Sequence, residues 1–235
     1  MQIRWAGLGT VELKTAAGTV ICNPPKGLFG KSSEIDPNTV VTRSGSADSL
    51  GSVPDAVHVI DSPGEYEVGG IGIRGVPTPV DNGENQRSVN TVYVIDADGL
   101  TSCHLGTPAE ELTSQYLQVI GRLDLLIVPV GGQYLSPNLA AALVRQLEPS
   151  CVIPVGAEPQ NGIASAHMQF ITELGTEATP PISRVSINSS NITEDLKIVM
   201  LTPQPCHLVG DPLLHFGFGV LLGLVLAFEL MLNSA

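Results

Sequence analysis

The segment Leu213–Leu232 reads LLHFGFGVLLGLVLAFELML, twenty residues with two ionisable side chains, His215 and Glu229. As a helix rising 1.5 Å per residue, such a run spans roughly 30 Å, the depth of a bilayer core. It is apolar on all faces rather than along one stripe, which disfavours a helix lying on a soluble domain. In lipid the backbone must satisfy its own N–H and C=O groups, so a single run of this kind has to be helical. Asp211-Pro212 supplies a start signal, and only Asn233, Ser234 and Ala235 follow the run. The chain is therefore expected to divide into a globular part (1–203), a linker (204–211), a transmembrane helix (212–232) and a short tail (233–235).

Within the apolar run, His215, Gly219, Gly223 and Ala227 recur every four residues and share one slowly drifting face. Gly219 and Gly223 form a G-x-x-x-G pair, which lets a second helix backbone approach closely in lipid. His215 near the start of the span is open to a headgroup position, an interhelical hydrogen bond or ligation of a tetrapyrrole metal. Glu229 lies about one turn from the end, within reach of the interface. Lys and Arg are absent from both flanks, so charge gives no orientation. Met1 leads straight into a strand pattern with no visible signal peptide, so a C-terminal tail anchor with the globular part in the cytoplasm is expected.

The globular part changes rhythm along its length. Short strands are expected at Gln2–Ala6, Val11–Thr15, Thr19–Asn23, Thr39–Arg43, Ala56–Ile60 and Gly70–Val76, separated by Gly- and Pro-containing turns. Thr91–Asp96 and Leu100–Leu105 read as a hairpin around Asp98-Gly99. After it the chain alternates: a helix over Pro108–Ile120, a buried strand at Leu125–Val130, and a helix over Asn138–Leu147 that opens on Ser136-Pro137. A strand at Cys151–Val155, a helix over Ala164–Leu174 ending at Gly175, and strands at Arg184–Ile187 and Leu196–Leu201 complete it. Two face-to-face sheets with helices outside fit this order, as do other α/β folds.

Net charge is −12, from 23 acidic and 11 basic residues. No basic footprint for nucleic acid exists, and an anionic lipid surface or phosphate backbone is disfavoured as a partner. The four cysteines, Cys22, Cys103, Cys151 and Cys206, include no C-x-x-C pair, and the first three sit in apolar strand-like runs. Buried thiols in a reducing compartment are expected, and the N-x-[ST] positions Asn188 and Asn191 are then inert.

Several long stretches carry a family resemblance: WAGLGTVEL (5–13), DSPGEYEVGGIGIRGVPTP (61–79), NTVYVIDADGLTSCHLG (90–106), IGRLDLLIVPVGG (120–132) and LVRQLEPSCVIPV (143–155). Together they resemble the bacterial metallo-β-lactamase-fold metallo-hydrolases from about residue 2 to residue 201. The resemblance implies a four-layer αβ/βα sandwich with the active site at one edge between two sheets. It also implies one or two metal ions, commonly zinc or manganese, and hydrolysis by a metal-bound hydroxide. The family signature is H-x-H-x-D-H, with later ligands His, Asp and His.

The departures from that pattern are as informative as the match. Where the signature falls, this chain has Ser44, Ser46 and Ser49 for the histidines, with only Asp48 retained. Val80, Thr107 and Gly156 stand at the later His, Asp and His positions, Asn23 replaces an aspartate, and Leu8 replaces a first-turn histidine. Zinc needs imidazole, thiolate or carboxylate ligands, and a serine hydroxyl is a poor substitute. Without a metal there is no lowered water pKa. His104 reads as a satisfied strand-end histidine, and Asp61, Glu65 and Asp81 read as solvated or capping groups. No phosphate loop and no G-x-S-x-G elbow is present.

These features lead us to expect no metal, no cofactor and no enzymatic activity. The expected role is a structural or accessory subunit that meets other transmembrane subunits through its C-terminal helix. A small-molecule sensor, or a hydrolase with altered chemistry in the former active-site cleft, is the alternative.

Overall fold

A computed structural model describes residues 1–25, 36, 38–45, 53–79, 89–157, 164–177, 179–193 and 195–204. The anticipated membrane helix, with His215, Gly219, Gly223 and Ala227, lies outside the described residues, as do Ser46, Asp48, Ser49, Val80, Asp81 and Cys206. Among the described residues no helix is long and apolar enough to cross a membrane.

The strands and helices follow in the order β1 (Gln2–Gly7), β2 (Thr10–Lys14), β3 (Thr19–Cys22), β4 (Thr39–Thr42), β5 (His58–Ile60), β6 (Gly64–Val68), β7 (Ile71–Pro79), β8 (Val89–Ala97) and β9 (Leu100–His104). After these come α1 (Ser114–Ile120), β10 (Leu125–Val130), α2 (Pro137–Leu147), β11 (Cys151–Gly156), α3 (Ser165–Leu174), β12 (Val185–Ser186) and β13 (Lys197–Ile198). They form two mixed sheets. The first has the order β12-β1-β2-β3-β4-β5, and the second β13-β11-β10-β9-β8-β7-β6. In the first sheet β3, β4 and β5 run parallel; in the second β9, β10, β11 and β13 do.

Two apolar layers follow from strand alternation. Leu125 and Ile127 point between the sheets, where they join Ile3, Trp5, Leu13, Val20, Tyr93 and Ile153. Leu126, Val128 and Val130 point the other way, onto α2 residues such as Leu143 and α3 residues such as Phe170. A strand buried on both faces reads as a continuous apolar run, which is why LLIVPV carries no alternation in its sequence. All three described helices lie against the second sheet. The α/β sandwich of two mixed sheets is thus present. A helical layer outside the first sheet is not among the described residues.

Local chemistry sets the boundaries. Ser136 caps α2 by accepting the Leu139 N–H at 3.3 Å, with Pro137 in the first turn. Gly175 ends α3 in the left-handed conformation. Asp98 and Gly99, at φ 54° and 70°, make the tight turn between β8 and β9. Tyr93 crosses the sandwich and donates its hydroxyl to Ile60 O at 3.0 Å.

Two expectations are corrected. The helix anticipated over Pro108–Ile120 begins only at Ser114. The preceding backbone groups bond elsewhere: Ala109 N to Pro79 O at 3.1 Å, and Leu112 N to Gln146 Oε1 at 2.9 Å. In addition β6, where the sequence predicts no strand, pairs with β7 across the Gly69-Gly70 turn. Cys22, Cys103 and Cys151 are free and buried. Burial pushes the Cys22 thiol up to about 12 and Cys151 to about 11, which keeps both protonated at neutral pH.

Candidate functional site

The parallel strands of both sheets end at one edge of the sandwich. There the chain presents Asn23 after β3, Arg43 and Ser44 after β4, Leu105 to Thr107 after β9, and Gly156 at the end of β11. Carboxyl ends of parallel strands leave loops rather than paired backbone, so this edge is where an α/β fold has room for chemistry. A cleft of about 190 Å³ opens here, with Asn23, Arg43, Ser44, Thr107, Pro129 and Tyr134 among its lining residues.

Three of the six anticipated ligand positions, Ser44, Thr107 and Gly156, are described, and they come together at this edge. Ser44 and Thr107 line the cleft itself. Ser44 donates its backbone N–H to Asn23 Oδ1 at 2.7 Å, and its carbonyl accepts from Thr91 N at 2.6 Å. Its hydroxyl is buried and has no hydrogen-bond partner among the described residues. The Thr107 N–H donates to Asn90 Oδ1 at 2.8 Å. The Asn90 amide donates in turn to Thr78 Oγ1 at 2.9 Å and Leu105 O at 3.1 Å, so this buried side chain is fully used.

Gly156 is filled rather than empty. It sits at φ 107°, and a Cβ there would lie 2.8 Å from the Tyr134 ring. Tyr134 also accepts the Gly9 N–H at 3.0 Å. An imidazole at position 156 would have to occupy the volume that the Tyr134 ring takes. Gly106, at φ 64°, is similarly closed, because a Cβ would fall 2.1 Å from Asn90 Oδ1.

His104 has no lone pair left for a metal. Its Nε2 faces Gly9 O at 3.1 Å, so Nε2 carries the proton and donates. Its Nδ1 accepts the Gly106 N–H at 3.3 Å. Burial drives the imidazole pKa down to about 4, so the ring is neutral. Asp61 and Glu65 are exposed. No group of three or more His, Cys, Asp or Glu residues able to hold a metal occurs among the described residues. The donor set described here, hydroxyls, amides and a doubly bonded imidazole, does not fit the metal ion that the family resemblance implies.

Sequence reasoning missed Tyr134, Asn90 and Arg43. Asn90 had a signal: a polar residue opening an apolar strand, NTVYVI, must find partners if buried. Tyr134 had none, because its contacts at Gly9 and Gly156 lie far away in the chain.

The profile of the beta-lactamase superfamily domain matches residues 2–156. Among solved structures, a protein assigned to the Zn-dependent hydrolases of the metallo-β-lactamase superfamily, from Thermotoga maritima, is 26% identical with a TM-score of 0.65. The match covers 86% of this chain and 99% of that one. Igni18, a metallo hydrolase from Ignicoccus hospitalis, is 16% identical with a TM-score of 0.56, over 86% of this chain and 95% of that one. An isothiocyanate hydrolase from Delia radicum gut bacteria is 11% identical with a TM-score of 0.54, over 80% of this chain and all (100%) of that one. The last two matches show a shared fold. No curated protein matches by sequence.

The first of these matches corrects the expectation that the chain is not an enzyme: that structure is assigned to the Zn-dependent hydrolases. Ser44, Thr107 and Gly156 bring no imidazole, thiolate or carboxylate to the edge. They leave the cleft and its other polar groups in place.

Two outcomes are expected. His104 has a folded pKa below its unfolded value near 6.5, so its stabilising contribution is complete above that value and is lost as pH falls toward 4. The loss is on the order of 3 kcal/mol at most. Thermal melts between pH 7 and 4 should show the slope, and His104→Gln should flatten it. Secondly, Gly156→His should lower the melting temperature and leave zinc content after dialysis unchanged, read by elemental analysis. A variant that gained one bound zinc per chain would refute the filled-site account.

Proposed function

The chain belongs to the beta-lactamase superfamily, and from that premise we propose that it is a membrane-anchored member whose edge cleft takes a small molecule in place of the superfamily's metal set. It works as an accessory subunit of a larger membrane complex, with the cleft as its small-molecule sensor. The observation that carries the reading is Ser44: a buried hydroxyl without a partner among the described residues, in the wall of a cleft of about 190 Å³. Buried polar atoms are nearly always hydrogen-bonded in native proteins, so an exception facing a cleft is a candidate contact for a ligand. The neighbouring positions Thr107 and Gly156 are stabilised by Asn90 and Tyr134 without a metal.

The membrane part of the reading is supported by Leu213–Leu232 alone, through its length and its apolar surface on every side. The Gly219, Gly223 and Ala227 face supports contact with another helix. Side chains on that face are too small to fill the groove themselves.

The cleft is tested by purifying the chain from its native membrane, denaturing it, and analysing the released low-mass material by mass spectrometry. A compound is expected from the wild-type chain and lost from Thr107→Trp, whose indole would occupy the cleft. A wild-type chain that releases nothing, and whose melting temperature no small molecule shifts, would end this reading. For the tail, deleting residues 212–235 should move the acidic domain into the aqueous fraction. Gly219→Leu with Gly223→Leu should keep it in membranes and loosen its complex, seen as a lower mass on native electrophoresis.

A further inference from the structure

The described chain leaves the sandwich at the cleft edge. Strand β13 runs parallel to β11, with Lys197 opposite Cys151 and Ile198 opposite Val152. Val199 N then donates to Val152 O at 2.9 Å, so the chain advances in the direction of β11, whose last residue, Gly156, stands at that edge. It keeps this course: Thr202 N donates to Ile182 O at 2.9 Å, and Gln204 N to Trp5 O at 2.8 Å. Trp5 lies near the end of β1, which runs the same way as β3 because both are antiparallel to β2. Since β3 leads into Asn23 in the cleft wall, the backbone bond that pins Gln204 is on the cleft side. The opposite edge, at the amino ends of β9 and β10, carries Gly99, Arg122, Asp124 and Ser189.

The tether is short compared with the sandwich. Seven residues, 205–211, separate Gln204 from the start of the apolar run. Fully extended, they reach at most about 25 Å. The six-residue strand β11 is by itself roughly 20 Å long, and the turns at both ends add to the height of the sandwich. To set the opposite edge against a bilayer, the tether would have to run straight back along that height, with nearly all of its conformational entropy lost. With the cleft edge toward the bilayer, it keeps most of its conformations. The net charge of −12 favours an uncharged lipid surface over an anionic one.

We propose that the cleft edge faces the lipid bilayer, so that the mouth of the cleft opens onto the headgroup layer of a zwitterionic membrane. The proposal rests on the reading above that Leu213–Leu232 spans a membrane.

The test measures the height of each edge above the lipid. The full chain carries Cys206→Ser, and Cys22, Cys103 and Cys151 are buried, so one added surface cysteine takes the label. Gly45→Cys marks the cleft edge, where a side chain meets nothing within 4 Å, and Arg122→Cys marks the opposite edge. Pro25→Cys and Ser189→Cys are second exposed positions, at the cleft edge and the opposite edge respectively. Circular dichroism and melting temperature select the folded variants. Each is labelled with a fluorophore and reconstituted into phosphatidylcholine vesicles that contain a headgroup-labelled acceptor lipid. Energy transfer to the acceptor should be several-fold more efficient from positions 25 and 45 than from 122 and 189. Equal transfer from both edges, or stronger transfer from positions 122 and 189, would overturn the proposal. Vesicle flotation separates the two levels. If the chain floats with the vesicles but transfer is equal, only the orientation fails. If the full chain does not float, the membrane reading falls and the proposal falls with it.

Discussion

The peptide segment Leu8–Gly9 is held by four hydrogen bonds, and the site edge is built around it. Leu8 O accepts from Trp5 Nε1 at 2.7 Å and from Gly156 N at 2.8 Å. Gly9 O accepts from His104 Nε2 at 3.1 Å, and Gly9 N donates to Tyr134 Oη at 3.0 Å. Three of these partners come from the second sheet or the loop after it, so one turn of the first sheet fixes how the two sheets meet. The turn costs something locally, because Leu8 adopts φ 47° with its side chain 48% exposed. A non-glycine residue holds that conformation only where its surroundings over-determine it. Here the four bonds do so, each worth about 1 kcal/mol net and more if one partner were left buried and alone.

Around that fastening, the described edge is built largely from neutral groups. A superfamily metal centre relies on charged or basic ligands that the ion compensates. The described part of this edge instead holds an uncharged imidazole, an amide with every group bonded, and a tyrosine ring seated on a glycine. Buried ligands without their ion would leave unsatisfied donors or uncompensated charge, which is expensive in a low-dielectric interior. Groups that bond each other, as Asn90 and the Thr107 N–H do, avoid that cost. Gly156 and Tyr134 illustrate the coupling: the small residue is what allows the large one to close over it. The cleft that remains is lined by hydroxyls, one arginine and apolar surface.

Most elements were legible where local and tertiary preferences agree. The strand LLIVPV, the Ser136-Pro137 start of α2, the Gly175 stop of α3 and the Asp98-Gly99 hairpin each carry their own signal in a few residues. The false helical start at Pro108 shows the opposite case. Its apolar spacing suits a helix, yet Ala109 and Leu112 spend their backbone N–H groups on Pro79 and Gln146, and tertiary bonds outweigh propensity. Strand β6, GEYEV, has the low hydrophobicity of an edge strand and is recruited by pairing with β7. Of the site, the substituted positions Ser44, Thr107 and Gly156 could be found by comparing motifs. The residues that give those positions their present structure could not.

By itself, the sequence determined the period of most strands and helices, the superfamily, the acidic character, and which residues stand where the resemblance implies ligands. Each of these is written within a short window of chain or in composition, so no knowledge of distant contacts is needed. Only the tertiary structure decided that, of the described positions, Thr107 and Gly156 are filled rather than vacant. Asn90 reaches Thr107, Tyr134 reaches Gly9 and Gly156, and His104 turns both nitrogens to backbone groups. Those partners are brought together by sheet register and by the way one sheet packs on the other. A hydrogen bond across such a gap depends on fractions of an ångström in three dimensions, a quantity that residue order along the chain does not encode locally.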